Sequence, residues 1–251
     1  MDKKTLIMSS ESQGHGKVLE REILIKQGFP DEKIKNYSHT EKYDGKQEDS
    51  PDNRNKSVKA TGKNAPDCGD ATRFLTSNNM DMNIICYKQE GDYKKVEKTI
   101  TIDFDSIKKI IKSEFNEEDG FDKWMENIKT YIQCVKNAPK NTQIKDLPCK
   151  SSLEFPYFGI RPKTSQNRVQ CELKLNKLLP LLKENEDYKI EHGAFINGKP
   201  YTDKIYSPPR KRNGINKKKL ILFCKENGIK GYSKYKKDEL IKYIASKGYT
   251  I

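Results

Sequence analysis

The sequence predicts an α/β fold, with a mixed central sheet flanked by helices and a small C-terminal helix-loop-helix domain. Three observations lead there. Short runs with strand character, Lys56 to Thr61, Asn83 to Lys88 and Lys98 to Asp103, lie among segments whose apolar residues recur at helical spacing. A stiff basic segment, Ser207-Pro208-Pro209-Arg210-Lys211-Arg212, separates the end of the chain from its body. Beyond that segment two helical patterns surround one glycine-bearing turn, Gly228 to Ser233.

Taken in order, Lys17 to Gln27 reads as the first helix, with Val18, Leu19, Ile23 and Ile25 on a mainly apolar side and Gly28 as its stop. Glu20 and Glu22 lie on it at different angles, so only one can readily face a site below the helix. Asp31 to Asn55 is polar, apart from a short element ending at Tyr43-Asp44, and the strand Lys56 to Thr61 ends at Gly62. Asp67-Cys68-Gly69-Asp70 reads as an acid-bearing turn. After two more strands, Asp105 is the expected N-cap of a helix through Phe115, with Ile107, Ile110 and Ile111 on one side. A second helix runs from about Asp119 to Lys136, where Phe121, Trp124, Ile128, Ile132 and Val135 make a scaffold face.

Residues 137–167 are rich in Pro, Asn and Lys and read as irregular. Arg168 to Leu173 alternates like a strand, and Leu175 to Leu182 is a short helix broken by Pro180. Tyr188 to Ile196 and Tyr201 to Tyr206, joined through Asn197-Gly198, carry a β-hairpin signal, because Asn-Gly adopts the positive-φ turn that matches strand twist. The expected domains are therefore 1–206, a basic linker 207–214 and a helix-loop-helix module 215–251, whose helices span Lys217 to Asn227 and Lys236 to Ser246.

The formal net charge of the 251 residues is +13, and its placement is more informative than its size. From Lys199 onward fifteen Lys/Arg face four Asp/Glu, a net of +11, which leaves only +2 for residues 1–198. With forty-two Lys to seven Arg, a compositional bias explains the ratio but not the asymmetry. A basic tail on a near-neutral body suits a polyanion, since each phosphate neutralised releases counterions. The six cysteines are scattered, with no CxxC pair and no ligand-spaced His, which argues against a zinc site and a disulfide framework. Without a signal segment or a run of about eighteen apolar residues, the expectation is a soluble intracellular protein.

The chemistry concentrates at Asp44 and Ser57-Val58-Lys59. Hydrolysing a phosphodiester takes a metal to polarise the phosphate, a positioned water and a cation for developing charge. Asp44 suits direct Mg²⁺ binding, and the Val58 carbonyl can add a ligand. Ser57 and Lys59, two apart in a strand, share a face, so Lys59 can orient water or stabilise the transition state while Ser57 serves as a structural hydroxyl. His15, in Gln13-Gly14-His15-Gly16, stands at a helix start and reads mainly as a loop histidine; His39 and His192 have no partner pattern.

Asp44, Ser57-Val58-Lys59 and an upstream helical glutamate resemble the PD-(D/E)xK nuclease superfamily, which includes most type II restriction endonucleases. The resemblance covers residues 10–75 in motif terms and implies a restriction-endonuclease-like domain over residues 1–206, with Asp44, Lys59, Glu20, Ser57 and Asp70 as catalytic candidates. It also implies Mg²⁺ as cofactor, held by Asp44, Val58 and Asp70. Tyr43 stands where the family pattern has Pro, and Ser57 replaces the second acid. In some restriction enzymes of the S-x-K version a neighbouring element supplies that acid, and Asp70 or Glu20 is positioned in sequence to do so. The function implied is site-specific cleavage of double-stranded DNA, by a homodimer where the target is palindromic.

The C-terminal segment resembles a SAP-type DNA-binding motif at Leu220, Cys224, Gly228-Ile229, Gly231, Lys236, Leu240-Ile241 and Ile244. This implies DNA contact by Lys234, Lys236 and Lys237, with Lys217, Lys218 and Lys219 nearby and Arg210 and Arg212 in the linker. Such phosphate contacts add affinity without reading sequence. The competing class is a non-enzymatic DNA- or chromatin-binding protein that works through this tail. Base readout falls to residues 140–206 and the loop around Asn64 to Asp70 by position alone.

Overall fold

A computed structural model of the chain describes residues 14–37, 42–206 and 217–247. Helix α1 (Gly14–Lys26) ends near Gly28, whose φ of 96° turns the chain into a short α2 (Asp31–Lys35) after Pro30. Strand β1 (Asn55–Thr61) and the short β2 (Asp67–Asp70) lead into α3 (Ala71–Leu75). The long strands β3 (Met80–Glu90) and β4 (Tyr93–Asp103) precede α4 (Phe104–Ser113) and α5 (Gly120–Asn137). Then come β5 (Phe158–Lys163), β6 (Arg168–Leu173), α6 (Leu175–Leu178), β7 (Tyr188–His192), β8 (Phe195–Ile196), β9 (Lys199–Pro200) and β10 (Lys204–Tyr206). The chain divides into two compact units, residues 1–208 and 209–251.

The first unit is mixed α/β, its main sheet flanked by helices. β1 pairs parallel with β3, β3 pairs antiparallel with β4, and both β7 and β10 pair with the far edge of β4. A second, antiparallel sheet has the order β2-β6-β5. Alternation along β3 sends Met80, Met82, Ile84 and Cys86 into one core, with Ile107, Trp124, Ile128, Val169 and Cys171. Ile85 enters another, with Leu19, Ile23 and Leu24 of α1 and with Val58. A register shift between Cys86 and Tyr87 reverses the faces, so Val96 packs on the α1 side although Ile100 and Ile102 pack on the other.

Several elements differ from the sequence-based expectation, each for a local reason. Asp67–Asp70 is a strand and not a turn, because Gly69, at φ 83°, carries a register shift that lets it pair with β6. Residues 137–167 contain β5, whose alternation is hidden by Gly159 and Pro162; Pro is tolerated because β5 lies at the sheet edge. The cap of α4 is Asp103, whose carboxylate accepts from the Asp105 N–H at 3.2 Å, and not Asp105. At Asn197-Gly198, with φ of 52° and 73°, the hairpin joins only β8 and β9. The eleven-residue β4 takes β10 along Tyr93 to Lys95 and β7 along Lys98 to Ile102 in series.

The second unit holds α7 (Lys217–Glu226) and α8 (Lys237–Ser246) around a core of Leu220, Cys224, Ile229, Leu240 and Ile244. Gly228 and Gly231, at φ 64° and 76°, carry the connection through the left-handed region. The expected linker 207–214 falls on undescribed residues. No helix among the described residues is long and apolar enough to cross a membrane.

Candidate active site at the edge of the main sheet

β1 is an edge strand, and the segment before it caps that edge. Asp44 and Gly45 both donate from backbone N–H to the Lys56 carbonyl, at 2.9 and 3.0 Å, and the Lys56 N–H returns a bond to Gly45 O at 2.8 Å. A side chain there would crowd the core: a Cβ on residue 45 would stand 2.7 Å from Leu24 Cδ2 and 2.8 Å from Phe29 Cζ, so these buried side chains would have to shift. Close passage beneath α1 therefore fixes Asp44. On the same strand the Lys56 ammonium is buried between the carboxylates of Asp52 and Asp81, and Arg54 bridges Asp81 and Asp103 at 2.8 and 2.6 Å. This paired network anchors the start of β1 to β3 and β4.

Held in this way, one carboxylate oxygen gathers three donors. Asp44 Oδ2 accepts from the Val58 N–H at 2.6 Å, from Lys59 Nζ at 3.0 Å and from Ser57 Oγ at 3.2 Å. Among the described residues no hydrogen bond goes to Oδ1. A strand residue directs its N–H and C=O to the same side, so the Val58 carbonyl faces Asp44 as well; Lys59 Nζ reaches it at 3.1 Å. The two side chains of the ion pair are 24% and 23% exposed, which leaves them open to a ligand without full solvent screening.

Lys59 is held as a cation. Burial alone would lower its pKa, but the neighbouring Asp44 carboxylate outweighs that by charge and hydrogen bond. The charge of Glu20 and, more weakly, Cys68 act in the same direction, and the net pKa lies above the ordinary 10.5. Glu20 thus belongs to the electrostatic surroundings of Lys59. Its helix is fixed to the sheet one strand in, where Gln27 and the buried Asn83 exchange hydrogen bonds at 3.1 and 3.3 Å; Asn83 is the register partner of Val58. Glu22 serves elsewhere, accepting from the Thr202 N–H at 2.9 Å.

Asp70 has a structural occupation. Its carboxylate accepts from the Arg73 N–H at 2.9 Å and caps α3. The structure brings Asp44, Ser57, Val58 and Lys59 together, sets Glu20 within electrostatic reach of Lys59, and places Asp70 at the N-cap of α3. Sequence reading missed Gly45 and Cys68 as neighbours of this site. The Asp44-Gly45 step was a signal for the first; Cys68 needed the strand pairing of β2.

Of the tail lysines, Lys217, Lys234 and Lys236 are exposed, and Lys218, Lys219 and Lys237 are helix positions. Arg210 and Arg212 lie outside the described residues. No family model, no curated protein and no solved structure matches the chain.

The donors at the sheet edge are hard oxygens, as Mg²⁺ prefers. No group of three or more His, Cys, Asp or Glu suited to a metal occurs among the described residues. Mg²⁺ needs no such group, since it is commonly held by one or two carboxylates while keeping water and taking phosphate oxygens from a substrate. Asp44 and the Val58 carbonyl fit that description, with the charge of Glu20 felt at Lys59 beside them.

Proposed function

We propose that this chain is a Mg²⁺-dependent endonuclease of double-stranded DNA, of the PD-(D/E)xK type with a restriction-endonuclease-like fold, cutting at a short sequence as a type II restriction endonuclease does. The observation that carries the reading is the convergence of the Asp44 carboxylate, the Val58 backbone and the Lys59 ammonium at one strand edge, 2.6 to 3.1 Å apart. Asp44, the Val58 carbonyl and Glu20 would hold the ion, with Glu20 supplying the acid that Ser57 replaces. When bound, Mg²⁺ polarises the phosphate and lowers the pKa of a water molecule.

The residues of the chain do the rest. Lys59, kept protonated by Asp44, is a fixed positive charge for the phosphate oxygen that gains charge as water attacks in line and the 3′ oxygen leaves. Ser57 and the Val58 N–H hold the Asp44 carboxylate in one orientation through Oδ2, which leaves Oδ1 for the ion. The C-terminal unit acts as a SAP-like tether whose exposed Lys217, Lys234 and Lys236 contact phosphate. A palindromic target is met by two copies of the chain.

The deciding experiment is incubation of purified protein with plasmid and Mg²⁺. Discrete fragments that disappear in Lys59→Ala, with duplex binding retained, support the endonuclease. DNA left uncut with every divalent metal tried, yet still bound, assigns the chain to non-enzymatic DNA binding through its tail.

A further inference from the structure

The second sheet turns one face to the core and the other outward. Val169, Cys171 and Leu173 of β6 and Phe158 and Ile160 of β5 point inward, which leaves Arg168, Gln170 and Glu172, with Arg161 and Lys163, on the outer side. That outer side is built in two layers. Gln170 and Glu172 are nearly buried, while Arg161 and Arg168 stand exposed above them. Arg161 pairs with Glu172 and keeps 46% of its side chain in solvent. With its amide turned to satisfy both neighbours, Gln170 donates to Asp67 Oδ2 and accepts from Arg168 Nη2, each at 3.2 Å.

Composition makes the two arginines informative. In a chain with forty-two Lys and seven Arg, a generic surface charge would be lysine, so Arg marks a need for a planar, forked donor. Arg161 and Arg168 are diagonal neighbours: Arg161 lies opposite Gln170, and Lys163 opposite Arg168. Diagonal pairs across an antiparallel sheet are about 7–8 Å apart, close to two base-pair steps of a duplex that rises about 3.4 Å per pair. Guanine presents O6 and N7 in the major groove to such a fork, and the groove admits a β-ribbon. Strand β2 ties this sheet to the site, because it pairs with β6 and also lies against β1, with Asp67 exposed and Cys68 buried in the core.

We infer that the outer face of the β2-β6-β5 sheet is the base-reading surface, with Arg161 and Arg168 contacting guanines in the major groove. Glu172 and Gln170 are positioning residues that hold the two guanidiniums. The inference rests on the endonuclease reading above and extends it to specificity.

The test selects duplexes with a random core on the full chain carrying Lys59→Ala, with Ca²⁺ replacing Mg²⁺, and repeats the selection with R161K or R168K added. Expected is enrichment of a sequence containing guanines, with each Lys variant losing about tenfold discrimination at one G·C pair while affinity for random duplex changes less than about threefold. A second measurement needs no sheet variant: 7-deazaguanine in the selected duplex should weaken binding by the parent about tenfold. Unchanged selectivity in both Lys variants, or indifference to 7-deazaguanine, overturns the reading surface and leaves the endonuclease standing. Binding without any sequence preference does the same. A wild-type chain that neither binds nor cuts duplex DNA overturns both.

Discussion

Lys59 Nζ lies 3.0 Å from Asp44 Oδ2, the same oxygen that takes the Val58 N–H at 2.6 Å. The ammonium is therefore fixed relative to a backbone edge, and all three hydrogen bonds to this acid fall on one of its two oxygens. On the proposed endonuclease reading the two groups have separate roles, Lys59 as charge and Asp44 as ligand, and the geometry keeps both on one strand edge.

Removing either member should stop cleavage for different reasons. Lys59→Ala deletes a preorganised cation, and losses of about 10² to 10³ in rate are typical of one such group. Asp44→Asn retains shape but weakens the metal ligand and leaves Lys59 without its counter-charge. The assay is plasmid cleavage with Mg²⁺, alongside duplex binding by gel shift; Ser57→Ala, which removes one bond of 3.2 Å, should cost less than about tenfold. Full activity in Lys59→Ala would remove this site from the chemistry.

Glu20 and Asp70 are told apart by pairing an activity with a stability measurement. Glu20 acts on Lys59 by charge, whereas Asp70 caps α3. Glu20→Gln, which keeps the size of the side chain and removes its charge, should abolish most Mg²⁺-dependent cleavage. Asp70→Ala should cost about 1 kcal/mol of stability by removing the cap and keep Mg²⁺-dependent cutting. The opposite pattern would move the second acid to Asp70.

The uneven legibility of this chain follows from where information is local. The β1 segment and the pair Asp44 and Lys59 were readable because alternation, a glycine stop and an S-x-K spacing lie within one stretch. The two long helices were readable because Ile107, Ile111, Trp124 and Ile128 repeat at helical spacing. Long-range pairing was not local. Nothing near Asp67 says that it pairs with Glu172, and nothing in Tyr188 to Tyr206 says that β4 takes both neighbouring strands on one edge. Gly45 is intelligible only once Leu24 and Phe29 pack over it.

That close approach makes a direct prediction. Gly45→Val should displace the segment carrying Asp44, since even a Cβ would stand 2.7 Å from Leu24. Cleavage should fall together with a drop in stability of about 1–3 kcal/mol, the usual cost of overpacking, measured by urea unfolding. A variant with unchanged stability and activity would show that Asp44 is not held by this close passage.

The pH dependence follows from the sign of two shifts. Lys59 has its pKa raised above 10.5, so its folded-state contribution is fully present below that value and is lost only as pH rises through the higher folded pKa. Cleavage should therefore show no loss attributable to Lys59 up to about pH 9, and a fall there that Lys59→Arg abolishes would contradict the assignment. At the acid end Asp187 is depressed below 3.8 by the Ser106 hydroxyl and the Lys183 N–H, at 2.6 and 2.9 Å. Its contribution is present above 3.8 and vanishes as pH falls through the lower folded value, so Asp187→Asn should flatten the acid limb of a stability profile.

The tail provides the last test, through salt. Lys217, Lys234 and Lys236 are exposed on a unit whose apolar residues close their own small core, so charge reversal there should leave folding intact. If they bind phosphate, the triple variant K217E/K234E/K236E should hold all duplexes more weakly by a similar factor. Its log-log salt slope should be shallower by about 1 for each lysine–phosphate pair removed. The cut positions should not move, because phosphate contacts do not discriminate between sequences. Fluorescence anisotropy at salt concentrations from about 50 to 200 mM, with fragment mapping beside it, measures both. An unchanged slope would assign the tail to a partner other than DNA, and a changed cut position would make it part of the reading surface.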